Sequence, residues 1–352
     1  MQLSKEFINE TQKIVDLRVD IATRFLYSTD ASIYQIEPLG VAFPKNGDQL
    51  AGAVELAAKY HVPVLARGAG SSLAGQAIGE ALILDCSRYM DHIIEINPEE
   101  RIATVETGVV LNAFNKALRK YGLQFGPDPA SAERATIGGS LANNATGAHS
   151  IQYGMAADHL IAADIVLSDG SITEFRELSL NEAMRIAIPL NRNSKNENTK
   201  NRVGAIYASS LRIREQYKDV IREKWPKTWR NASGYGIHYL LPWSPSFPPQ
   251  WGGAGDLKSP TPLPYPPVTP GTINLAPLLC GSEGTLAIIR KVKVRLVPRP
   301  QHTVLAVIPY EGLAEACDAV PGILELNPSA IELIPRSLIS LAHSLPAYAR
   351  HF

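Results

Sequence analysis

The sequence predicts an α+β fold, and three observations carry that reading. An alanine-rich amphipathic pattern over 49–60 reads as a helix. Closely spaced apolar runs of strand length follow it at 62–68, 81–87, 91–97 and 101–109. Asp169-Gly170, a strong hairpin-turn pair, sits between two further β runs within 160–175.

In chain order, the first 25 residues read as helix, with Phe7, Ile8, Ile14, Val15 and Leu17 at three- and four-residue spacings. The run 62–68 ends on a glycine, and 101–109 alternates at period two. The stretch 111–122 is a helix with Gly122 as its stop. Residues 198–224 are polar and helical. The runs 291–298 and 303–310 read as strands, and 312–326 as a helix. Ten of the 26 prolines fall within 242–270, so that stretch reads as a surface insertion rather than helix or central strand.

Composition narrows the function. Lys+Arg and Asp+Glu both number 34, so the 352-residue chain is formally neutral and lacks a basic footprint for nucleic acid or acidic membrane. Three scattered cysteines without CxxC spacing disfavour a zinc ribbon, an iron–sulfur cluster or a disulfide framework within the chain, and fit a reducing compartment. No run of about 18 apolar residues suggests a membrane span.

Four glycine-punctuated stretches carry the chemistry. The first, 67–75 (RGAGSSLAG), directly follows an apolar run. Closely spaced glycines and serines let backbone approach a ligand and aim N–H groups at phosphate oxygens. It departs from the dinucleotide fingerprint because the third glycine position is Leu73, and the next strand begins too soon for a crossover helix. A purely structural turn remains open. The second, 125–154, sets Gly138, Gly139 and Gly147 around Asn143 and Asn144 among small side chains. Such a stretch suits a flat, bulky ligand lying against backbone. The third is 227–241 and the fourth 278–300, in which Gly281, Gly284 and Thr285 precede an apolar run.

Together these stretches resemble the FAD-binding domain of the vanillyl-alcohol oxidase/para-cresol methylhydroxylase (PCMH) superfamily. The branch is that of D-lactate dehydrogenase, D-2-hydroxyglutarate dehydrogenase and the glycolate oxidase flavoprotein subunit. The insertion between the third and fourth motifs resembles that of large bacterial dehydrogenases with a fused iron–sulfur domain. The resemblance implies a two-subdomain FAD-binding PCMH-type fold at 37–300, divided at 98/99, after an N-terminal helical extension at 1–36. Residues 301–352 would begin an α+β cap domain carrying the substrate side. The relatives' His-rich metal motif is missing from this sequence, so a fragment, or a subunit completed by a partner, is the expectation.

By the same resemblance, Arg67, Gly68, Ala69, Gly70, Ser71 and Ser72 cradle the FAD diphosphate through backbone N–H groups, with Gly75 and Gln76 following. Pro127, Asp128 and Ser131, then Thr136, Ile137, Gly138, Gly139 and Ser140, lie along the diphosphate and flavin ring. Asn144, Gly147, Ala148 and Tyr153 continue that wall, and Glu283, Gly284 and Ile288 approach the adenosine half. Relatives with covalent flavin use a histidine where this chain has Ser71, which implies non-covalent FAD. His149 is the candidate catalytic residue, with a structural hydrogen bonder as its alternative. The implied activity is oxidation of a small D-2-hydroxy acid, with electrons passed to an iron–sulfur domain or subunit, in the cytoplasm or at the inner membrane face. The competing readings are an FAD-holding module without catalysis of its own and an oxygen-using oxidase.

Overall fold

A computed structural model describes residues 2–188, 195–226, 228, 230–243 and 269–347. Nearly all of the proline-rich insertion, 244–268, lies outside the described residues. Two sheets organise the chain. The first has four strands and the second five.

The N-terminal segment departs from a continuous helix. Helix α1 (Lys5–Gln12), capped by the Ser4 hydroxyl, gives way to strand β1 (Asp16–Arg18), and α2 (Ile21–Leu26) follows with Asp20 as its cap. Val15 and Leu17 are buried while Asp16 and Arg18 are exposed, which is the two-residue period of a strand. β1 pairs antiparallel with β2 (Gly40–Phe43), so this segment is an edge of the first sheet rather than an appended helical extension. Phe7 is fully buried in the same core as Leu50 and Leu84.

Helix α3 (Gly47–Lys59) starts at Asn46, whose side chain accepts from the N–H groups of Asp48 and Gln49. β3 (Val64–Arg67) and β2 both pair parallel with β4 (Leu82–Asp85). The central strands β2 and β4 are buried throughout. α3 covers this sheet with Leu50, Ala53, Val54 and Ala57, and meets Val166 and Ile288 of the second sheet in one cluster. Two glycines permit that docking. Any side chain at Gly47 would strike the Arg290 guanidinium, and one at Gly170 (φ +83°) would press into Glu55.

The second sheet is antiparallel throughout. β5 (Ile93–Asn97) pairs with β6 (Ile102–Glu106), which pairs with β12 (Ile288–Arg295). β12 also pairs with β8 (Leu160–Val166), which turns through Asp169-Gly170 into β9 (Ile172–Phe175). β12 thus enters between two strands made more than 120 residues earlier. Helix α4 (Leu111–Leu118) closes on Gly122 in the left-handed region, as its glycine stop predicts, and β7 (Leu123–Gln124) follows. α5 (Ile137–Ala142) and α6 (Ser150–Tyr153) are the short helices of the second glycine-rich stretch.

β10 (Glu177–Ser179) runs into α7 (Leu180–Ala187) through a Ser179–Glu182 capping box and pairs with β11 (Thr272–Asn274). The long helix α8 (Lys195–Lys224) packs on α7 and buries Tyr207 against Phe175. Arg214 donates to the carbonyls of Leu240 and Thr272 at 2.8 and 2.6 Å, tying α8 to both segments. β13 (Val297–Pro298) pairs with β7.

The strand expected over 303–310 does not form. These residues have no ladder partner, and Val304, Leu305 and Val307 are exposed. An apolar run of strand length becomes a strand only against a neighbour that takes its backbone hydrogen bonds. α9 (Leu313–Leu324) and α10 (Arg336–Ser344) follow without a fully buried residue. Among the described residues, no helix is long and apolar enough to cross a membrane.

If the N-terminal segment belongs to the first layer, Phe7→Ala should destabilise the protein by about 3–5 kcal/mol, the usual cost of emptying a buried aromatic site. Urea unfolding of the two proteins measures this; a change within error would mean that α1 does not contribute to the core.

Candidate cofactor cleft

An open cleft of about 360 Å³ lies where the two sheets meet. Its walls are the loop 66–77 after β3, the segment 135–145 around α5, and the stretch 279–289 entering β12. Each wall is set by local chemistry. The β3 loop turns at Gly70 (φ +67°), a conformation that costs glycine little. α5 begins at Thr136, whose hydroxyl accepts from the Gly139 N–H at 3.2 Å. Gly138 donates to the Thr107 carbonyl at 2.9 Å, and a side chain there would strike Thr107. Gly281 (φ +79°) and Glu283 hang from the Ala142 carbonyl at 2.9 and 3.1 Å.

The first and second walls touch directly. A methyl group at Gly68 would collide with the Thr136 hydroxyl. The third motif does not line the cleft; it buttresses it from behind. A side chain at Gly281 would meet the Gly234 carbonyl at 2.6 Å, Tyr235 and Thr285 share a hydroxyl hydrogen bond at 2.9 Å, and Arg230 donates to the Thr146 hydroxyl at 2.6 Å.

Fifteen of the expected site residues line the cleft: Arg67, Gly68, Ala69, Gly70, Ser71, Ser72, Gln76, Ser131, Thr136, Gly138, Gly139, Ser140, Glu283, Gly284 and Ile288. The others stand elsewhere. Gly75 lies under the Tyr34 ring, and Ile137 is buried in the main core. Asn144 turns inward, accepting from the Ala157 N–H at 2.9 Å and reaching Met155 Sδ. Asp128 grips His149: the His149 N–H donates to Oδ1 at 3.2 Å, and ring Nδ1 contacts Oδ2. Gly147 sits so close to Asp128 that no side chain would fit. Tyr153 is buried beside the His149 ring; Pro127 and Ala148 also lie outside the lining. Sequence reasoning missed Cys86, Thr107, Ala142, Asn143 and Ala145, which do line it. Cys86 and Thr107 come from strand ends, where no local motif marks them. Asn143 ends helix α5 beside Asn144, and nothing in the sequence tells which of the two faces the cleft.

The cleft is nearly free of formal charge. Among the described lining residues the ionisable groups are Arg67, Cys86 and Glu283. Burial pushes the Cys86 thiol up to about 12, so it stays neutral. The Arg67 guanidinium turns out of the loop to the carbonyls of Tyr27, Thr29 and Ala77.

These residues fit a dinucleotide with a diphosphate. Among the described residues, the N–H groups from Gly68 to Leu73 donate to no other group, a consecutive run of free donors at one wall. Ser140 Oγ is buried in the facing wall without a partner. The buried Ser140 hydroxyl in particular asks for a partner, because leaving it unpaired away from water costs about 1–3 kcal/mol.

Residues 38–176 match the family model described as "FAD binding domain". The chain carries an FAD-binding domain. That match indicates FAD binding over those residues. It is 30% identical to the D-2-hydroxyglutarate dehydrogenase of Pantoea ananatis over 330 residues, covering 93% of this chain and 29% of that protein. It is 24% identical to the D-lactate dehydrogenase of Archaeoglobus fulgidus over 308 residues, covering 87% and 49%. The chain therefore spans less than half the length of these curated relatives. Among solved structures, an alkyldihydroxyacetonephosphate synthase shares the fold with a TM-score of 0.56 at 17% identity, over 94% of this chain and 47% of that one.

A buried acid fastens the rear of the FAD-binding domain. Asp158 accepts from the Met155 N–H and the Tyr239 hydroxyl, both at 2.7 Å, joining the second motif to the third. Burial raises its pKa to about 7 against the opposing pull of those two hydrogen bonds. The folded state thus holds a proton that the unfolded chain, titrating near the ordinary value of 3.8, has released. Stability linked to this group falls as pH rises from about 4 to about 7 and is level above that. Asp158→Asn should flatten the dependence of Tm on pH across that window and match or exceed wild-type stability at pH 8. Thermal melts over pH 4–8 measure this, and an unchanged slope would rule out Asp158 as its source.

Proposed function

We propose that this chain is the flavin-holding part of an FAD-dependent dehydrogenase that oxidises a small D-2-hydroxy acid. The observation that carries the reading is the cleft between the two sheets, with its run of unspent N–H donors, in a chain related along most of its length to dehydrogenases named for D-2-hydroxyglutarate and D-lactate. When bound, FAD supplies the redox chemistry by accepting a hydride from the hydroxyl-bearing carbon.

The chain's own residues bind and orient. The N–H groups of Gly68 to Leu73 would hold the diphosphate, and Ser140 would donate from the facing wall. Thr136, Gly138 and Gly139, with little or no side chain on the cleft side, leave room for a flat ring. Ser71 stands where covalent relatives carry a histidine, so the flavin is held without a covalent bond. Residues 37–300 form the FAD-binding region in two subdomains, and 301–352 begin the substrate side. Electrons leave to an iron–sulfur domain or subunit.

A second reading is favoured by one observation. Among the described lining residues the one carboxylate is Glu283, on the wall expected to approach the adenosine half, and no histidine, lysine or aspartate joins it, so the rest of the wall offers no ready acceptor for the substrate's hydroxyl proton. In that reading the chain holds FAD, and groups beyond the lining position the substrate. His149, clasped by Asp128, is the nearest candidate along the sequence; the carboxylate fixes its ring orientation.

The test is anaerobic. D-lactate, glycolate and D-2-hydroxyglutarate are added in turn to the FAD-loaded protein, and at least one should bleach the flavin absorbance. Bleaching by none, with FAD bound, favours the holding module. Acid precipitation should leave the yellow colour in the supernatant; a yellow pellet would contradict non-covalent attachment.

A further inference from the structure

Arg67 opens the diphosphate loop, and its charge would suit a phosphate. The structure spends it otherwise. Nη1 donates to the carbonyls of Tyr27 and Ala77 at 3.2 and 3.0 Å, and Nη2 donates to the carbonyl of Thr29 at 2.8 Å. The guanidinium also lies over the Tyr27 ring, 5.1 Å from its centre. Gly70 rests on the same group, since a side chain there would meet Nη2 at 2.6 Å.

The segment so gripped is a strap across the loop. Its other ties are the Tyr27 hydroxyl donating to Asp85, the Ala31 N–H donating to the Gly70 carbonyl at 3.0 Å, and the Ala77 N–H reaching Asp30 at 3.4 Å. Asp85 faces Arg67 across the β3–β4 ladder and also takes the Ser87 N–H. Both ends of the loop, at Arg67 and Ala77, are thereby fixed to residues 27–31.

We propose that Arg67 is a positioning residue rather than a phosphate counter-ion: it clamps the strap 27–31 against the loop, and so holds the N–H groups of Gly68 to Leu73 turned toward the cleft. The inference rests on the FAD assignment and adds how the diphosphate is read. Recognition runs through backbone dipoles and hydroxyls, with no side-chain cation among the described lining residues left free to pair with it. A planar fork that serves three carbonyls from fixed angles is not replaced by an ammonium, whose charge is the same but whose donors radiate from one atom.

The experiment measures FAD and riboflavin affinity by fluorescence, at low and high KCl, for wild type, Arg67→Lys, Arg67→Met and Tyr27→Phe, with circular dichroism as the folding control. Wild-type FAD affinity should change less than about threefold with salt, because no ion pair is screened. Both Arg67 variants should lose FAD affinity by about tenfold or more, the scale of one lost hydrogen bond to a charged group. Riboflavin, which lacks the diphosphate, should bind all four alike. Should the Arg67 variants fail to fold, Tyr27→Phe decides: it releases one tie of the strap and should weaken FAD selectively. Full retention of FAD affinity in Arg67→Lys, steep salt dependence in wild type, parallel loss of riboflavin and FAD, or an unaffected Tyr27→Phe would each overturn the clamp. Failure of wild type to bind FAD at all would instead overturn the cofactor assignment.

Discussion

The meeting of Gly68 with Thr136 is the constraint on which the rest depends. One residue directly follows a strand of the first sheet, and the other caps the helix that faces the second. They are 68 positions apart, and nothing larger than hydrogen fits at Gly68. That contact fixes how far the two walls of the cleft can separate. The remaining inter-sheet contacts repeat the device at a distance, with Gly47 admitting Arg290 and Gly170 admitting Glu55. Arg290 also pairs with Asp164 at 3.2 Å, so the docked helix and the central strands of the second sheet are held by one side chain. Such approaches tolerate little adjustment because the facing side chains are held by other bonds, the Thr136 hydroxyl by the Gly139 N–H and Arg290 by Asp164.

Charge neutrality at the level of the chain has a local counterpart in the cleft. A dinucleotide with a diphosphate is anionic, yet the described lining has one cation, and that cation is turned to carbonyls. In the proposed reading, consecutive N–H dipoles take its place. Dipoles fixed by turns need little reorganisation when a ligand arrives, and they impose shape as well as sign. The requirement moves from charge to backbone conformation, which explains the concentration of glycine and serine at this wall.

Periodicity made most of the fold legible. The helix at 49–60, the strands within 62–68, 81–87, 91–97 and 101–109, the Gly122 stop and the hairpin at Asp169-Gly170 all follow from local pattern and turn chemistry, whereas β2 carried no such signal. The N-terminal strand was hidden because Val15 and Leu17 fit a helical spacing as well as an alternating one, and only pairing with β2 decides between them. The opposite error occurred at 303–310, where an apolar run of strand length was present and a partner strand was not. For the site, glycine spacing located the three walls but not which side chains face inward. Asn143 and Asn144 are indistinguishable by type, yet the left-handed φ of +50° at Asn144 sends its amide into the core. Thr107 and Cys86 carry no motif, because they reach the cleft through sheet register.

The third motif shows how a glycine-rich stretch can matter to a cleft that it does not line. Residues 230–239 touch both flanking walls, through Arg230 at Thr146, Tyr235 at Thr285 and Gly234 at Gly281. Behind them, Tyr239 anchors to the buried Asp158, and His238 stacks between Trp225 and Tyr239 with ring centres 4.3 and 4.0 Å away. Burial depresses His238 to about 4, so the stack is neutral across the physiological range. A neutral aromatic stack and a single acid with both oxygens satisfied form a rigid back plate. A rigid back plate is what a cleft defined by backbone dipoles needs, since a small tilt of either wall would misalign its donors.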